Sequence, residues 1–313
     1  MNTIVTLTMN PAIDKSSSVE HVIAERKLYC KTPRFEPGGG GINVTRAIKK
    51  LGGESVALYP SAGPTGEMLR YLFEQEGLDH RPIPINGWTR ENLVMLEEST
   101  GHQYRFGMPG PHLSDAEWQR CLHELSAINS KIDFIVASGS LPPGVPDDFY
   151  ARVACIGKDI GAQVVVDTSG EALRLALSEG VYLIKPNIRE FRELIGAEVG
   201  DESEIKNMAM EIVRSGQSEV VVISLGAAGT LMASQEGHVH IQSPTVPIVS
   251  KVGAGDSTVA GIVLSLSRGN SLRDAVRFGS AAGAAAVMTP GTELCRREDT
   301  ERLYEQMTSE SAP

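Results

Sequence analysis

Short apolar runs alternate along this chain with longer stretches in which apolar residues recur at helical spacing. The clearest runs are Ile4 to Thr8, Ser55 to Tyr59, Phe134 to Ser138, Val164 to Asp167, Tyr182 to Lys185 and Val220 to Ser224. Most of them are continuously apolar, as strands covered on both faces must be. Helical spacing follows, for example over Val44 to Leu51, 147–159 and 202–214. The alternation predicts a parallel α/β sheet covered by helices, with the functional residues at the carboxyl ends of its strands.

Two segments depart from this alternation. Residues 16–36 and 89–107 carry strand-like runs with no helix between them, such as "ENLVMLEES" and "HQYRFGM". Such a pattern is typical of hairpins or of a small separate sheet. An appendage of this kind is either a lid over a site or a pair of edge hairpins that do not move.

Composition excludes several classes of function. The 313 residues suffice for one large α/β domain or two smaller ones. A net charge of −10 opposes binding to a nucleic-acid backbone. The start "MNTIVTLTMNPAID" has no basic leader, and no apolar run approaches the roughly 20 residues of a membrane span, so we expect a cytoplasmic protein. The four cysteines form no C-x-x-C pair, which favours buried free thiols, and the ending "TSESAP" is expected to be disordered.

The stretch "GGGGINVTRAIKKLGG", residues 38–53, places four glycines before an amphipathic helix. Glycines at a helix start expose backbone N–H groups and let a ligand approach the main chain, which suits a polyhydroxylated or anionic ligand. A flexible turn is the alternative. Asn43 could hydrogen-bond a hydroxyl group or could cap the helix.

Two further stretches lie where predicted strands end. In "KPNIRE", Lys185 and Asn187 emerge at the end of a strand, and Glu190 lies on the same side of the following helical turn. These groups could hold Mg²⁺ and phosphate, or they could simply mark the start of a helix. The glycine turn "SLGAAGT", residues 224–230, predicts a hairpin or one wall of a nucleotide site.

The stretch "SKVGAGDSTVAG", residues 250–261, has the most chemical content. Gly253, Ala254 and Gly255 come before a helix of small residues, so unpaired N–H groups would converge on one anion. Asp256, in the first turn, would be kept ionised by the helix N-terminus and would serve as a weak, permanently available base. Such a base suffices for phosphoryl transfer. The alternative is that Asp256 is an N-cap.

The order of these elements resembles the ribokinase, or PfkB, family of carbohydrate kinases. Residues 38–53 and 250–261 resemble its two signature regions, and Lys185, Asn187 and Glu190 match its N-x-x-E element. Within the family, "VTLTMNPAID", "GWTREN", "QYRFGMPG", "SGSLPPGV" and "DTSGEAL" are most similar to its B-type 6-phosphofructokinase branch. The resemblance implies one ribokinase-like domain over 1–313, a three-layer α/β/α sandwich, with a small β-sheet lid at about 16–36 and 89–107. It also implies a homodimer formed through that lid.

The resemblance further implies ATP-dependent, Mg²⁺-assisted phosphorylation of fructose 6-phosphate at its C1 hydroxyl, giving fructose 1,6-bisphosphate. Asp256 would deprotonate the hydroxyl, and Gly253, Ala254 and Gly255 would hold the transferred phosphoryl group. The implied sugar contacts are Asp14, Gly39, Gly40, Asn43 and Asp167, with Lys27, Arg90, Arg105 and Ser140 around the sugar phosphate. On the nucleotide side, the implied contacts are Lys185 and Asn187 to the ATP phosphates, Glu190 to Mg²⁺, and Ser224, Gly226 and Gly229 along the nucleotide. Family members often use a monovalent cation near the anion hole, so K⁺ is a further expectation.

Substrate choice within the family rests on few residues. Fructose 1-phosphate and tagatose 6-phosphate kinases usually read G-G-K-G where this chain has Gly38 to Gly41 uninterrupted, which favours fructose 6-phosphate. A tagatose-6-phosphate kinase and a 1-phosphofructokinase remain the enzymatic alternatives. A regulator that binds sugar phosphates without catalysis is an alternative of another class, but an intact Asp256 and Glu190 argue against it. Lys251 departs from the family pattern, and its ammonium group either approaches the phosphate and K⁺ region or extends outward.

Overall fold

The computed structural model describes residues 3–128, 130–196 and 202–309. Its strands within these ranges are β1 (Ile4–Leu7), β2 (Ala12–Val19), β3 (Arg34–Gly38), β4 (Val56–Ser61), β5 (Asp79–Pro84), β6 (Arg90–Glu97), β7 (Gln103–Phe106), β8 (Phe134–Ser138), β9 (Gln163–Asp167), β10 (Val181–Ile184), β11 (Ser218–Ser224), β12 (Thr230–Ser234) and β13 (Gly237–Ile241). The α-helices are α1 (Gly40–Lys50), α2 (Gly63–Gln75), α3 (Asp115–Ser126), α4 (Phe149–Ile160), α5 (Gly170–Glu179), α6 (Ile188–Ile195), α7 (Glu202–Arg214), α8 (Ala254–Ser267), α9 (Leu272–Val287) and α10 (Arg297–Ser309).

The larger sheet has the strand order β13-β12-β11-β10-β9-β8-β1-β4-β5. Strands β1, β4, β5, β8, β9, β10 and β11 are paired in parallel, and β12 and β13 join one edge as antiparallel strands. All six strands predicted from the apolar runs lie in this sheet, so the parallel α/β prediction is confirmed. The turn at 224–230 does connect two antiparallel strands, as the hairpin interpretation required.

Helices cover both faces of this sheet because its buried strands present apolar side chains on both sides. Strand β9 shows the pattern clearly: Val164 and Val166 pack in one core with α3 to α7, while Val165 packs in the other with α1 and α8 to α10. Alternation of side chains along a strand produces this division. The result is the expected three-layer α/β/α sandwich.

The second sheet has the order β3-β2-β6-β7 and is called here the lid sheet. The predicted extra strands therefore exist, but their bounds differ: β2 begins at Ala12 and β3 ends at Gly38, so residues 20–33 form a loop between them. A small third core joins the base of this sheet to the larger one, with Ile13 of β2 packing with Tyr59 of β4 and Phe73 of α2. Apolar packing thus holds the lid sheet against the site end of the larger sheet.

Three smaller expectations need correction or qualification. Cys121 and Cys295 are buried as expected, but Cys30 and Cys155 are exposed, so the buried-thiol prediction is wrong for those two. Thr308 and Ser309 are helical, so disorder was wrongly expected for them; residues 310–313 lie outside the described part of the chain. Within the described residues, no helix has the length and apolar character needed to span a membrane.

Candidate active site

The carboxyl ends of the parallel strands lie beside the N-termini of α1 and α8, at one end of the larger sheet. Asp167 is the last residue of β9, Lys185 follows β10, and Ser224 ends β11. Asn187 pairs with Ser224 through an isolated parallel bridge. The strand order therefore brings together groups that are far apart in sequence, as parallel sheets do where their active sites form.

Helix α8 begins in the manner needed for anion binding. Gly253 is its N-cap residue with a φ of 73°, and no side chain caps the helix start within the described structure. A side chain at this position would overlap Leu294, so both the backbone conformation and the packing require glycine. The helix begins at Ala254, so Ala254 and Gly255 belong to its first turn, where their N–H groups lack intrahelical acceptors. The exposed Lys251 lies just before this turn, as its outward-extending alternative requires.

Asp256 lies in the first turn of α8 and does not cap it, so the N-cap alternative is wrong. Its Oδ2 accepts a hydrogen bond of 2.9 Å from Nδ2 of Asn43, which belongs to α1. Helix α1 begins at Gly40 with Gly39 as N-cap, so Asn43 is no cap either. The amide instead holds the carboxylate, joining the two glycine-rich segments through one hydrogen bond.

Lys185 supplies the positive charge of the site. Its Nζ lies 3.4 Å from Oδ1 of Asp167, and its side chain is only 5% exposed. The same Nζ is close to Gly255, where an added Cβ would come within 3.2 Å of it. Burial opposes the charge, but Asp167 and then Asp256 raise the pKa of Lys185, which stays protonated. A permanent cation therefore lies beside the free N–H groups of α8.

The pKa of Asp256 differs from the sequence-based expectation. Burial, followed by repulsion from Asp167, raises it to about 7, against the lowering effects of the Asn43 hydrogen bond and the Lys185 charge. The permanently ionised base expected from the helix N-terminus is therefore wrong, because removal from water outweighs the dipole here. A base that titrates near pH 7 is better matched to accepting a proton from a hydroxyl group.

The glycines before α1 serve packing as well as access. Gly39 has a φ of 110°, and a side chain at Gly40 would overlap Ser138 at the end of β8. The helix start is thus pressed against the ends of β1 and β8. Gly39 and Gly40 are thus closely packed against neighbouring strand ends, which favours a defined turn over a flexible one.

Asp14 of the lid sheet, an expected sugar contact, lies against the glycine segment before α1. Its carboxyl group lies against Gly38, where any side chain would overlap it, and Oδ1 accepts a 2.9 Å hydrogen bond from Nδ2 of Asn92. Burial raises the pKa of Asp14, partly offset by Asn92. Asn43 leaves its buried Oδ1 unpartnered. An unpaired buried acceptor is costly, so this atom fits a hydroxyl donor from a sugar.

Asn10, which the sequence analysis did not select, connects two residues on the expected phosphate side. Its Nδ2 donates to Ser140 Oγ at 3.2 Å, and its backbone oxygen accepts from Arg90 at 2.9 Å. Arg90 keeps a buried Nε without a partner, which leaves a donor for an anion. The signal that could have identified Asn10 is its position three residues after the end of β1.

Two expected phosphate contacts, Lys27 and Arg105, are exposed to solvent. Lys27 is exposed, with its Nζ 5.1 Å from the ring centroid of Tyr29. Arg105 is exposed on β7, where it pairs with Val94 in the sheet register. Both positions belong to the lid segments.

The nucleotide side contains the expected groups in a helix-capping arrangement. Asn187 caps α6, and its N–H donates to Glu190 at 2.9 Å, so the helix-start interpretation is confirmed. Gly226 and Gly229 form the turn after Ser224, with positive φ at both. In the described ranges, no cluster of three or more His, Cys, Asp and Glu side chains could enclose a metal ion. Mg²⁺ commonly binds through one or two carboxylates plus substrate phosphates, so Glu190 beside Lys185 and Asp167 fits it.

Comparisons with known proteins identify the family of the chain. The model of the pfkB family carbohydrate kinases matches residues 1–299. The chain belongs to this family. ATP-dependent 6-phosphofructokinase isozyme 2 of Mycobacterium tuberculosis is 48% identical over 96% of this chain and 89% of its own length, and the isozyme 2 of Escherichia coli is 41% identical over 96% and 97%.

Solved structures of phosphofructokinase-2 from Escherichia coli are also similar to this kinase. The complex with potassium has a TM-score of 0.95 at 41% identity, covering 98% of this chain and 100% of its own. The complex with fructose 6-phosphate and a tetrameric inhibited form each have a TM-score of 0.93 at 40% identity, with the same coverage. The ribokinase-like fold class is therefore confirmed.

The Asn43–Asp256 hydrogen bond makes the pH dependence of this kinase testable. With Asp256 as the expected base, kcat/KM should rise with pH about a midpoint near 7, because the carboxylate must be deprotonated to accept a proton. Removing the amide in Asn43→Ala takes away a bond that favours the carboxylate, so the midpoint should move to higher pH. A pH profile of kcat/KM for the sugar substrate measures this.

Asn92→Ala is the matched control, since it also removes an amide from an active-site carboxylate, that of Asp14. Ionised Asp14 repels Asp256 and raises its pKa, so a variant that makes Asp14 harder to ionise should not move the midpoint to higher pH. An unmoved midpoint in Asn43→Ala, or an equal shift in both variants, would contradict the assignment of the titrating group to Asp256.

Proposed function

We propose that this kinase is an ATP-dependent 6-phosphofructokinase, which transfers the γ-phosphoryl group of ATP to the C1 hydroxyl of fructose 6-phosphate. The observation that carries the proposal is the convergence of Asp256, the free N-terminus of α8 and Lys185 at one point. A base, an anion hole and a fixed cation are the parts that phosphoryl transfer needs. Relatives at 41% and 48% identity carry the name of this activity.

In the proposed mechanism, each residue has one task. Asp256 accepts the proton of the C1 hydroxyl as the oxygen attacks, and Asn43 keeps the receiving carboxylate oriented. The N–H groups of Ala254 and Gly255 and the ammonium of Lys185 stabilise the charge on the transferred group. Bound ATP supplies the phosphoryl group, with Mg²⁺ held by Glu190. Asn187, Ser224, Gly226 and Gly229 form the nucleotide side of the site.

On the sugar side, we assign Asp14, Gly39, Gly40 and Asn43 to the hydroxyl groups, and Arg90 and Ser140 to the 6-phosphate. The unpartnered atoms of Asn43 and Arg90 support this assignment. We also assign Asp167 to the sugar hydroxyl groups; in the described structure its Oδ1 lies 3.4 Å from the ammonium nitrogen of Lys185.

Replacing the base tests the chemistry. Asp256→Asn keeps the size and the Asn43 contact but cannot accept a proton, so kcat should fall by on the order of 10²- to 10⁴-fold. ADP release with MgATP and fructose 6-phosphate measures turnover, and calorimetry of fructose 6-phosphate binding measures whether the site survives. Turnover near the wild-type rate in Asp256→Asn would reject this base.

The alternative functions have separate outcomes in the same assay. A higher kcat/KM for tagatose 6-phosphate or fructose 1-phosphate than for fructose 6-phosphate would reassign the substrate. Binding without turnover in the wild-type protein would indicate the non-catalytic regulator. Comparing the three sugar phosphates on the same preparation separates these cases.

We also propose that the chain acts as a single kinase unit, with the lid sheet as its cover and as its contact with a second copy. The loop after β2, the strand β7 and the residues just after β7 expose several apolar side chains: Val22, Ile23, Tyr29, Phe106 and Met108. Lys27 and Arg105 are exposed in the same segments, so a dimer would place their charges near a neighbouring cleft. The Escherichia coli relative has a tetrameric inhibited form. Sedimentation velocity of this chain would also report assemblies larger than a dimer.

The dimer proposal is tested by Phe106→Asp. A carboxylate in an apolar contact should weaken the dimer and lower its fraction in sedimentation velocity at a fixed concentration. Tyr71→Asp is the control, since Tyr71 is an equally exposed aromatic residue but lies on α2. Equal sedimentation of the wild type and both variants would reject an interface at the lid sheet.

A K⁺ ion near the anion hole is part of the proposal, since oxygen atoms of the loops beside α8 are the ligand type that hard cations take. The exposed Lys251 leads us to propose that its ammonium does not replace this ion. Activity should therefore rise with K⁺ to the same extent in the wild type and in Lys251→Thr, with tetramethylammonium keeping the ionic strength constant. A response to K⁺ in Lys251→Thr alone would show that the lysine does replace it.

A further inference from the structure

Arg46 lies two turns inside α1 and is the centre of a buried hydrogen-bond network. Its side chain is 2% exposed, and its guanidinium group bonds two carboxylates and two backbone carbonyls. Nε and Nη2 donate to Glu76, Nη2 also donates to Glu36, and Nη1 donates to the backbone oxygens of Pro37 and Thr292. All the nitrogen atoms of the planar guanidinium group thus donate hydrogen bonds. The ammonium group of a lysine could not reproduce this arrangement.

One side of this network reaches the sugar half of the site. Glu36 and Pro37 belong to β3 of the lid sheet, and Glu36 is the register partner of Asp14 on β2. Gly38, the next residue after Pro37, lies against the Asp14 carboxyl group. The position of β3, which Arg46 holds, therefore sets where Asp14 lies in the cleft.

The other side reaches the anion hole. Thr292 lies in the loop 288–294, which is bonded to the loop before α8: Ser250 Oγ donates to Gly291 O at 3.1 Å, and Val252 N donates to Ser250 Oγ at 3.2 Å. Leu294 of the same loop packs against Gly253, the N-cap of α8.

Leu294 has a φ of 67°, a backbone conformation that a branched residue adopts only when its surroundings impose it. Arg46 holds the backbone two residues earlier, at Thr292, and Thr292 Oγ1 also bonds Glu36 directly. The two loops and the lid strand are thus fastened at one point.

We propose that Arg46 is a positioning residue that fixes the sugar-holding strand of the lid sheet relative to the anion hole of α8. It touches neither substrate. It acts on the transfer step because each half of the site stays intact without it, while the distance between the hydroxyl and the phosphoryl group is no longer held. This inference rests on the proposed kinase function.

The consequence is a characteristic split in kinetics. Each substrate still meets its own contacts, so both KM values should change little. Misplacement of the reacting groups acts on kcat, where a displacement of about 1 Å can cost roughly 100-fold. A role in folding alone would lower the melting temperature and leave kcat per folded enzyme unchanged.

The chain offers a matched set of variants. Arg46→Lys keeps the positive charge but loses the planar guanidinium group. Glu36→Gln weakens the bond between Arg46 and β3 of the lid sheet and the bond between β3 and Thr292. Glu76→Gln weakens the same guanidinium from its other side, at the end of α2. We expect a fall in kcat of roughly 10- to 100-fold in the first two, and a lower melting temperature with kcat within about twofold of wild type in Glu76→Gln.

The measurements are kcat and both KM values with fructose 6-phosphate and MgATP, and the melting temperature of each variant. Wild-type kcat for Arg46→Lys and Glu36→Gln would overturn the inference, as would an equal loss of kcat in Glu76→Gln. If Arg46→Lys does not fold, kcat of Glu36→Gln compared with that of Glu76→Gln decides the result alone. Absence of turnover in the wild type would instead reject the proposed function, so the two failures are distinguishable.

Discussion

A single buried ammonium group, that of Lys185, balances the charges on which the rest of the site depends. Asp167 and Asp256 both lie in its field, and both carboxyl groups are largely removed from water. Removing such carboxylates from water is costly unless a cation compensates. One cation does not compensate two buried carboxylates, so burial raises the pKa of both, that of Asp256 to about 7. Asp167 Oδ1 lies 3.4 Å from the ammonium nitrogen of Lys185, whereas Asp256 accepts a hydrogen bond from the neutral amide of Asn43.

The same arrangement explains why glycine is required at the two helix starts. Gly255 allows Lys185 Nζ to approach the first turn of α8, and Gly253 accommodates Leu294 from behind. Gly40 lets α1 lie against the end of β8, which brings Asn43 within reach of Asp256. The glycines are therefore spatial requirements of the catalytic carboxylate. Access of a ligand to the main chain follows from the same absence of side chains.

Much of the fold could be predicted from local patterns, because continuous apolar runs and helical spacing directly reflect burial. The strand Phe134–Ser138 was predicted with its observed bounds. Strand β5 carries charged and proline residues, so no apolar run identified it. The start of β2 at Ala12 was also missed, since the apolar residues of "NPAID" precede the polar strand residues and gave no period of two.

The candidate site likewise has a part that local sequence patterns predict and a part that they do not. Glycine clusters and strand ends indicated Asp256, Lys185 and Asn187 from sequence. Pairings across the fold were beyond sequence reasoning: the Asn43–Asp256 bond joins residues 213 positions apart, and the Arg46–Thr292 bond joins residues 246 apart. The pKa of Asp256 was wrongly expected to be low because a helix N-terminus can be identified from sequence, whereas the extent of burial around it cannot.

The two sheets create a mechanical problem that the buried arginine solves. In the proposed function, the lid sheet holds the sugar, the N-terminus of α8 holds the phosphoryl group, and both substrates must be able to enter. A rigid apolar junction between the sheets would fix the geometry but resist motion, whereas a purely polar one would fix little. The small core around Ile13 and Phe73 holds the two sheets together, but apolar packing does not fix their relative orientation. The directional hydrogen bonds of Arg46 to Glu36 and Thr292 fix the position of the lid sheet relative to the loop beside α8. Alignment of the reacting groups therefore depends on hydrogen-bond geometry at the junction more than on the area buried there.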